Sequence, residues 1–422
     1  MTAPTSASSN PTWFEQRQQQ AWQDYERLPA PAQRDEHWRY SSAKKLDLSG
    51  RNPAPEPTAE QVQAALAASS GIEGEGPRLV FVNDRLVQQC LDGLPEGSLC
   101  LSLEQALKSH ADLLQQHGWQ SEASMGSEKF AALHLAQQRA AVVLLLPKGV
   151  EMTRPLEVIH WCVGRESVIF PHLLVIAQAH SHARVSEQFR SLHGDAAMLL
   201  AMTRLVAADA GRISYSCLQQ LAGDAQGLQQ AHLQCGREAR ITALQVQLGA
   251  QFSRCEMVSD LDGAGARSEM FSVSLPMGTQ MVDQRTLQRH RAPNASSDLL
   301  FKNALYDQAQ SVFSGLIVVD EGAHATDAYQ TCRNLLASDQ AQAHSLPGLE
   351  ILADQVKCSH GSTSGPMDAE ELFYLRARGI DEALARQLIA RGFVAQVISR
   401  LGDEAWSAAL LKAVDEKLEA RA

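Results

Sequence analysis

Apolar and polar residues alternate along the middle of the chain, from about residue 156 to residue 345, and helical periodicity is scarce there. Such alternation predicts β-strands separated by short turns. A small residue followed by Arg recurs before these strands, in Ala183-Arg184, Gly211-Arg212 and Ala239-Arg240, with the arginines 28 residues apart. Ala266-Arg267 follows 27 residues later. This period predicts stacked coils, because one coil cannot bury its apolar face alone.

Helical periodicity at both ends predicts helical regions that flank the coils. Near the C-terminus, Asp368 and Asp381 are each expected to begin a short helix, and the two helices form a hairpin whose apolar stripe is by default used for packing. The sequence thus predicts a mainly β protein with a solenoid core. We predict four parts: a helical region with a flexible start, an α/β lead-in, the coiled core and a helical domain, at residues 1–77, 78–160, 161–362 and 363–422.

Composition and charge limit the kinds of partner. Hydrophobic residues make up 45% and charged residues 20%, as in an ordinary globular protein. The net charge of -11 and the lack of a Lys/Arg block argue against nucleic-acid binding. The first ten residues lack the features of a secretion signal, and the longest apolar run, Ala140–Leu146, is shorter than the roughly 20 residues of a membrane span. We therefore expect a cytoplasmic protein without a membrane partner.

The candidate chemistry is concentrated in Lys357-Cys358-Ser359-His360-Gly361. On a strand, Cys358 and His360 point to the same face, and Lys357 is expected to favour the thiolate. Thiolate and imidazole suit iron, iron–sulfur clusters or zinc, but two side chains cannot complete a tetrahedral site. Two interpretations remain open: half of a site that a second subunit completes, or a buried Cys beside a surface His. No phosphate-binding loop, GxSxG or HExxH motif is present, so an enzyme is not expected.

An ordered series of motifs fills the stretch from about residue 280 to residue 397. It consists of Asp283-Gln284-Arg285-Thr286, His290-Arg291-Ala292-Pro293-Asn294, Lys302-Asn303-Ala304-Leu305, Ser311-Val312-Phe313-Ser314-Gly315, Thr326-Asp327-Ala328-Tyr329-Gln330, Asn334-Leu335-Leu336, Pro347-Gly348-Leu349-Glu350-Ile351, the Lys357–Gly361 cluster, Leu372-Phe373-Tyr374-Leu375 and Gly379-Ile380. This series resembles the SufB/SufD family of iron–sulfur cluster assembly, whereas the N-terminal third resembles it only loosely. Gly361 after His360, where the SufB type carries Glu, and the chain length make it more similar to the SufD type.

The resemblance implies a right-handed parallel β-helix between helical terminal domains, and a scaffold subunit of the SUF system that is not an enzyme. It implies a SufB-like partner at the end of the β-helix, with a possible homodimer when the chain is alone. The ATPase SufC would dock on the C-terminal helices, at Phe373, Tyr374, Arg378, Gly379 and Ile380. Sulfur would come from SufS through SufE.

The resemblance also implies a cargo. A transient iron–sulfur cluster would be shared with the SufB partner through His360 and Cys358, and the isolated chain would bind no cofactor. Cys332 is a further candidate ligand, because it lies where the SufB type carries its functional cysteine. A reduced flavin is associated with some such complexes, but no residue here places one. Two alternatives stay open: a cytosolic carbohydrate-active β-helix enzyme, and a purely structural subunit in which Cys358 and His360 are inert.

Overall fold

The fold is mainly β and contains a parallel β-solenoid of about eight turns with helices at both ends, which confirms the predicted class. It is seen in a computed structural model that describes residues 1, 3, 11–41, 43–69, 76–118 and 125–421. No helix among these residues is long and apolar enough to cross a membrane.

The strands are β1 Asn52–Pro53, β2 Arg78–Val82, β3 Arg85–Cys90, β4 Leu99–Ser102, β5 Val142–Leu146, β6 Leu156–Cys162, β7 Ser167–Ile169, β8 His172–Ala177, β9 His182–Ser191, β10 Met198–Ala207, β11 Arg212–Gln220, β12 Gln226–Cys235, β13 Arg240–Gln247, β14 Phe252–Leu261, β15 Arg267–Ser274, β16 Met281–His290, β17 Ser296–Leu305, β18 Gln310–Val319, β19 Asp327–Leu336, β20 Gln342–Ile351 and β21 Lys357–Pro366. The α-helices are α1 Thr12–Arg27, α2 Ala59–Ala68, α3 Leu103–Ser109, α4 Ala111–Leu113, α5 Glu128–Gln137, α6 Ala369–Ala377, α7 Glu382–Ile398 and α8 Glu404–Glu419.

The strands form two sheets that run along the solenoid. Sheet A has the order β20-β18-β16-β14-β12-β10-β8-β5-β4, and β7 and β1 join it at one side. Sheet B has the order β21-β19-β17-β15-β13-β11-β9-β6-β2-β3. The pairs β2–β3 and β4–β5 are antiparallel, and every later pair is parallel. Each coil therefore gives one strand to each sheet, and β20 and β21 end the two sheets together.

The strand register confirms most of the predicted period. Arg212 lies opposite Arg240, and Arg240 lies opposite Arg267. The first step was predicted wrongly, because Arg184 lies opposite Ser214, and His182 lies opposite Arg212. That coil is two residues longer than the next, since β9 is one residue longer than β11 and the loop after β9 is one residue longer than the loop after β11.

The central strands of sheet B, such as β13 and β15, are buried on both faces. In β13, Ile241 and Ala243 pack in the solenoid interior, whereas Leu244 and Val246 pack in a second cluster with Trp406 and other residues of α7 and α8. Helix α7 continues through Gly392 without interruption. α8, which the sequence analysis did not predict, supplies the fully buried Trp406.

Sheet A is covered by the N-terminal region instead. Trp38 and Phe130 pack with Met198 and Leu200, which lie on the outer face of β10. The Trp38 indole nitrogen donates a hydrogen bond to the Gly126 carbonyl oxygen at 2.7 Å. The N-terminal region thus covers sheet A, and its helix α2 also packs on the first strands of sheet B, whose later strands are covered by α7 and α8.

A buried carboxyl group lies inside the first coils. Glu187 on β9 accepts hydrogen bonds from the Tyr215 hydroxyl at 2.6 Å and the Thr203 hydroxyl at 2.9 Å, and His160 Nε2 lies 3.7 Å from its other oxygen. Burial raises the pKa of Glu187 to about 7. Burial also lowers the pKa of His160 to about 3, so this imidazole is neutral and does not hold the carboxyl group ionised.

We expect Glu187→Gln to gain stability relative to the wild type as pH rises. Because the folded-state pKa of Glu187 is raised, its contribution to stability is present below the unfolded-state pKa and is lost as pH rises through about 7. Between pH 5 and pH 8 the difference in unfolding free energy should change by about 2.5 kcal/mol. Urea unfolding at several pH values measures it, with the exposed Glu151→Gln as control; a pH-independent difference would contradict the prediction.

Candidate functional site

The last coil, made of β20 and β21, leaves one end of the solenoid open. Among the described residues, each of these strands has a neighbouring strand on one side only. None of their residues is buried, unlike the inner coils. An edge of this kind presents unpaired backbone N–H and C=O groups to which another chain can add a strand.

Cys358 and His360 both lie on β21, at this open edge. In the register they stand opposite Ala328 and Gln330, which are buried on the inner side of β19. Cys358 packs beside a cluster that includes Ala328 and Ile317 and is half-buried, whereas His360 is exposed. Because side chains alternate along a strand, both candidates face the interior side at the open end.

The environment of Cys358 favours the neutral thiol. Burial raises its pKa, and the charge of Asp327 adds to this effect against a backbone hydrogen bond at Ala328. Lys357, which was expected to favour the thiolate, is not among the groups that shift this pKa. Lys357 neighbours Cys358 along the strand and therefore points to the opposite face.

Cys332 lies one coil further in, on the same face. It stands opposite Ser362 and is fully buried. Burial raises its pKa to about 12, although contacts with Ser345 and Asn334 act to lower it. From strand spacing and rise, its Cα lies about 8 Å from that of His360. The three candidates therefore share a face, but Cys332 lies much deeper than the other two.

The part of the chain that the structure describes holds no group of three or more His, Cys, Asp or Glu side chains able to bind a metal ion. The described residues therefore add no third side chain of this kind to Cys358 and His360. Any further ligands must come from outside this set.

A polar network around Cys332 was missed by the sequence analysis. Asn303 donates a hydrogen bond to the Asn334 side-chain oxygen at 2.9 Å, and Asn334 donates to the Ser364 hydroxyl at 3.1 Å. Ser311 donates to the same oxygen of Asn334 at 3.2 Å. Asn303 and Asn334 occupy equivalent positions on successive coils. The recurrence of Asn at this position could have indicated the network from the sequence. Its hydrogen bonds extend to Ser364 on the last coil.

The α6–α7 hairpin carries the other predicted site. Phe373 is 73% exposed and Tyr374 is 56% exposed, and α6 has no buried residue. The Arg378 guanidinium lies 4.5 Å from the centre of the Tyr374 ring. Gly379 has φ +85°, which favours glycine, and Ile380 begins the turn into α7. The apolar stripe predicted by default for packing thus lies largely in solvent at Phe373 and Tyr374.

Two family models together match most of the chain. A family model described as SUF system FeS cluster assembly, SufBD core domain, matches residues 160–393. The chain belongs to the SufBD family. A second model, the SufBD protein N-terminal region, matches residues 5–158, so the N-terminal third of this SufBD protein belongs to the same family although its motifs resemble the family only loosely.

Individual relatives favour the SufD type. The SufD proteins of Escherichia coli and Bacillus subtilis are 28% and 24% identical, over 95% and 97% of this chain and 92% and 95% of their own lengths. The SufB protein of Bacillus subtilis is 24% identical over 71% of this chain and 64% of its own length. The predicted resemblance is therefore confirmed, and the chain is an iron–sulfur cluster assembly protein of the SufBD family.

Proposed function

We propose that this SufBD protein is a non-enzymatic scaffold subunit on which a nascent iron–sulfur cluster is assembled with a SufB-type partner. The observation that carries the proposal is the open last coil, which presents Cys358 and His360 on one face without further ligands from the described residues. A second chain that docks at this edge can supply them. In the same proposal the ATPase SufC docks on the C-terminal helices, and SufS delivers sulfur through SufE.

The edge is suited to strand addition. β20 and β21 each present ten residues of backbone. The exposed Ile351 is the last residue of β20, and the exposed Leu352 follows it. A partner that adds strands to both sheets gains main-chain hydrogen bonds and buries these side chains. The same edge lets two copies of this chain pair when no SufB-type partner is present.

The two proposed ligands differ in how directly they can bind iron. His360 is exposed, so its imidazole can reach incoming iron directly. Cys358 must first lose its proton, and burial raises its pKa. A nearby iron cation favours the thiolate, because metal binding displaces the thiol proton. We therefore propose that His360 binds iron first and that Cys358 joins once the cation is close. The pKa of about 12 makes Cys332 a poor first ligand.

Co-purification tests the scaffold proposal. The tagged chain is co-expressed with the SufB-type and SufC-type proteins of the same genome, and the complex is analysed by size-exclusion chromatography with mass measurement. We expect one complex that contains all three chains. Recovery of the tagged chain with neither partner would overturn the proposal.

Phe373→Ala is expected to weaken SufC binding by about 30-fold while leaving the fold intact. The side chain is 73% exposed, so its loss removes no core contact. Exposed aromatic side chains are frequent interface hot spots worth about 2 kcal/mol or more. Calorimetric titration with SufC measures the affinity, and the melting temperature checks the fold.

Leu352→Ala is the matched control for that prediction. Leu352 is 56% exposed and lies at the open edge instead of the hairpin. It should leave SufC binding unchanged and weaken binding of the SufB-type subunit. Unchanged SufC affinity in both Phe373→Ala and Tyr374→Ala would show that the hairpin is not the docking site.

A further inference from the structure

A cleft of about 630 Å³ lies between α8 and the outer face of sheet B, at the opposite end of the solenoid from the last coil. Its floor includes Gln188 and Arg190 on β9 and Gln220 on β11. Its roof is the face of α8 that carries Ala405, Ala408, Ala409, Lys412, Ala413 and Glu416. We call it the α8 cleft. Its volume is typical of small-molecule sites, and the alanines leave the space unfilled.

The α8 cleft is separate from the cluster-assembly site. β9 and β21 are six strand positions apart in sheet B. At the usual strand spacing this is about 29 Å. A ligand in the cleft would therefore touch neither Cys358 nor His360.

Arg190 is a half-buried cation that faces the cleft with unused hydrogen-bonding capacity. One terminal nitrogen donates to the Ala68 carbonyl oxygen at 3.3 Å, and the guanidinium lies 5.6 Å from the centre of the Trp161 ring. Its Nε is buried and has no hydrogen-bond partner among the described residues. Burial lowers the pKa of Arg190, and Glu416 and Glu157 oppose this through charge. A buried cation of this kind is stabilised when an anion meets it.

Gln188 also has a buried side-chain atom without a hydrogen-bond partner among the described residues. It is 1% exposed, and its Oε1 accepts no hydrogen bond from any residue that the structure describes. Lys412, on the exposed side of α8, brings a second positive charge to the same space. The cleft thus offers two cations for an anionic group and a buried acceptor for an N–H donor.

We propose that the α8 cleft binds a small organic anion of about mononucleotide size, with its anionic group at Arg190 and Lys412 and an N–H donor at Gln188. The alanine face of α8 provides a flat apolar wall for the rest of the ligand. Glu416 lies on the same wall and competes with the ligand's anionic group for Arg190. This binding activity is independent of the scaffold function proposed above.

Calorimetric titration of the full chain at low ionic strength tests the proposal, with inorganic phosphate and adenosine 5′-monophosphate as separate probes. Low salt is used because it screens charge interactions least. We expect the nucleotide to bind more tightly than phosphate, because only the nucleotide carries an N–H donor for Gln188. Arg190→Gln should weaken binding at least tenfold, and Glu416→Gln should strengthen it several-fold.

Arg212→Gln is the matched control, because Arg212 is exposed on the neighbouring strand β11 and pairs with Glu151 instead of lining the cleft. It removes the same charge and should leave the affinity unchanged. If Arg190→Gln does not fold, as judged by circular dichroism, the exposed Lys412→Gln replaces it and should weaken binding several-fold. Failure of both probes to bind the wild type, or equal affinity in these variants, would overturn the proposal.

Discussion

His360→Ala is expected to leave the assembled complex intact but to remove most of its visible iron–sulfur absorption after anaerobic reconstitution. His360 is exposed on β21 and its side chain supports no core packing, so the fold should not change. Loss of a supporting side chain around a metal costs roughly 10- to 100-fold in affinity, and loss of a ligand should cost at least as much. Absorption per complex, after size-exclusion chromatography, measures the effect.

Variants along the same strand separate the candidate ligands. Cys358→Ala should also reduce the absorption, whereas Cys332→Ala should reduce it less, because Cys332 is fully buried. Ser359→Ala is the control, since Ser359 lies between the two candidates and points to the opposite face. Wild-type absorption in both His360→Ala and Cys358→Ala would make this subunit a structural spacer.

Arg254→Ala is expected to lower the free energy of unfolding by about 3–5 kcal/mol, because it takes a buried cation from two buried carboxylates and leaves Asp283 with Arg285 alone. Arg254 is 0% exposed on β14 and pairs with Glu256 at 2.7 Å and with Asp283 at 2.5 Å. Although burial acts to raise the pKa of Asp283, Arg254 and Arg285 lower it overall, so this carboxylate is charged.

The same guanidinium holds the N-terminal region on sheet A. It donates to the His37 carbonyl oxygen at 3.0 Å and to the Met125 carbonyl oxygen at 2.6 Å, and it lies 3.8 Å from the centre of the Trp38 ring. Chemical denaturation measures the stability loss, and limited proteolysis should show earlier cleavage in this region. Arg267→Ala is the control, since Arg267 is itself exposed and its partner Glu269 keeps Arg240 as a second counter-ion. A loss below about 1 kcal/mol for Arg254→Ala would contradict the prediction.

The solenoid could be predicted because residues that pair between neighbouring coils recur at a nearly constant interval in the sequence. Arg212, Arg240 and Arg267 stand opposite one another in register, and the period between them was visible in the sequence. What covers each sheet was not visible. Leu244 and Val246 alternate with interior residues, but the pattern does not reveal that α7 and α8 bury them.

The site was predictable only where it is local. That Cys358 and His360 share a face follows from their spacing on one strand. Their relation to Cys332 depends on coil length, which varies along the chain and which the sequence does not state. The exposure of Phe373 was likewise hidden, because an apolar helical stripe has the same pattern whether this chain or a partner covers it.

A partner chain that adds a strand at the open edge of β20 and β21 must bind in the correct strand register as well as tightly. A partner strand that slips by one residue still forms backbone hydrogen bonds, but it turns the opposite set of side chains toward Cys358 and His360. A slip of two residues restores the face but displaces every side chain by about 7 Å, far beyond a metal–ligand bond of about 2 Å. Under the proposed pairing, a single alignment therefore brings the candidate ligands of both chains together, and a mispaired complex would be well bound yet unable to hold a cluster.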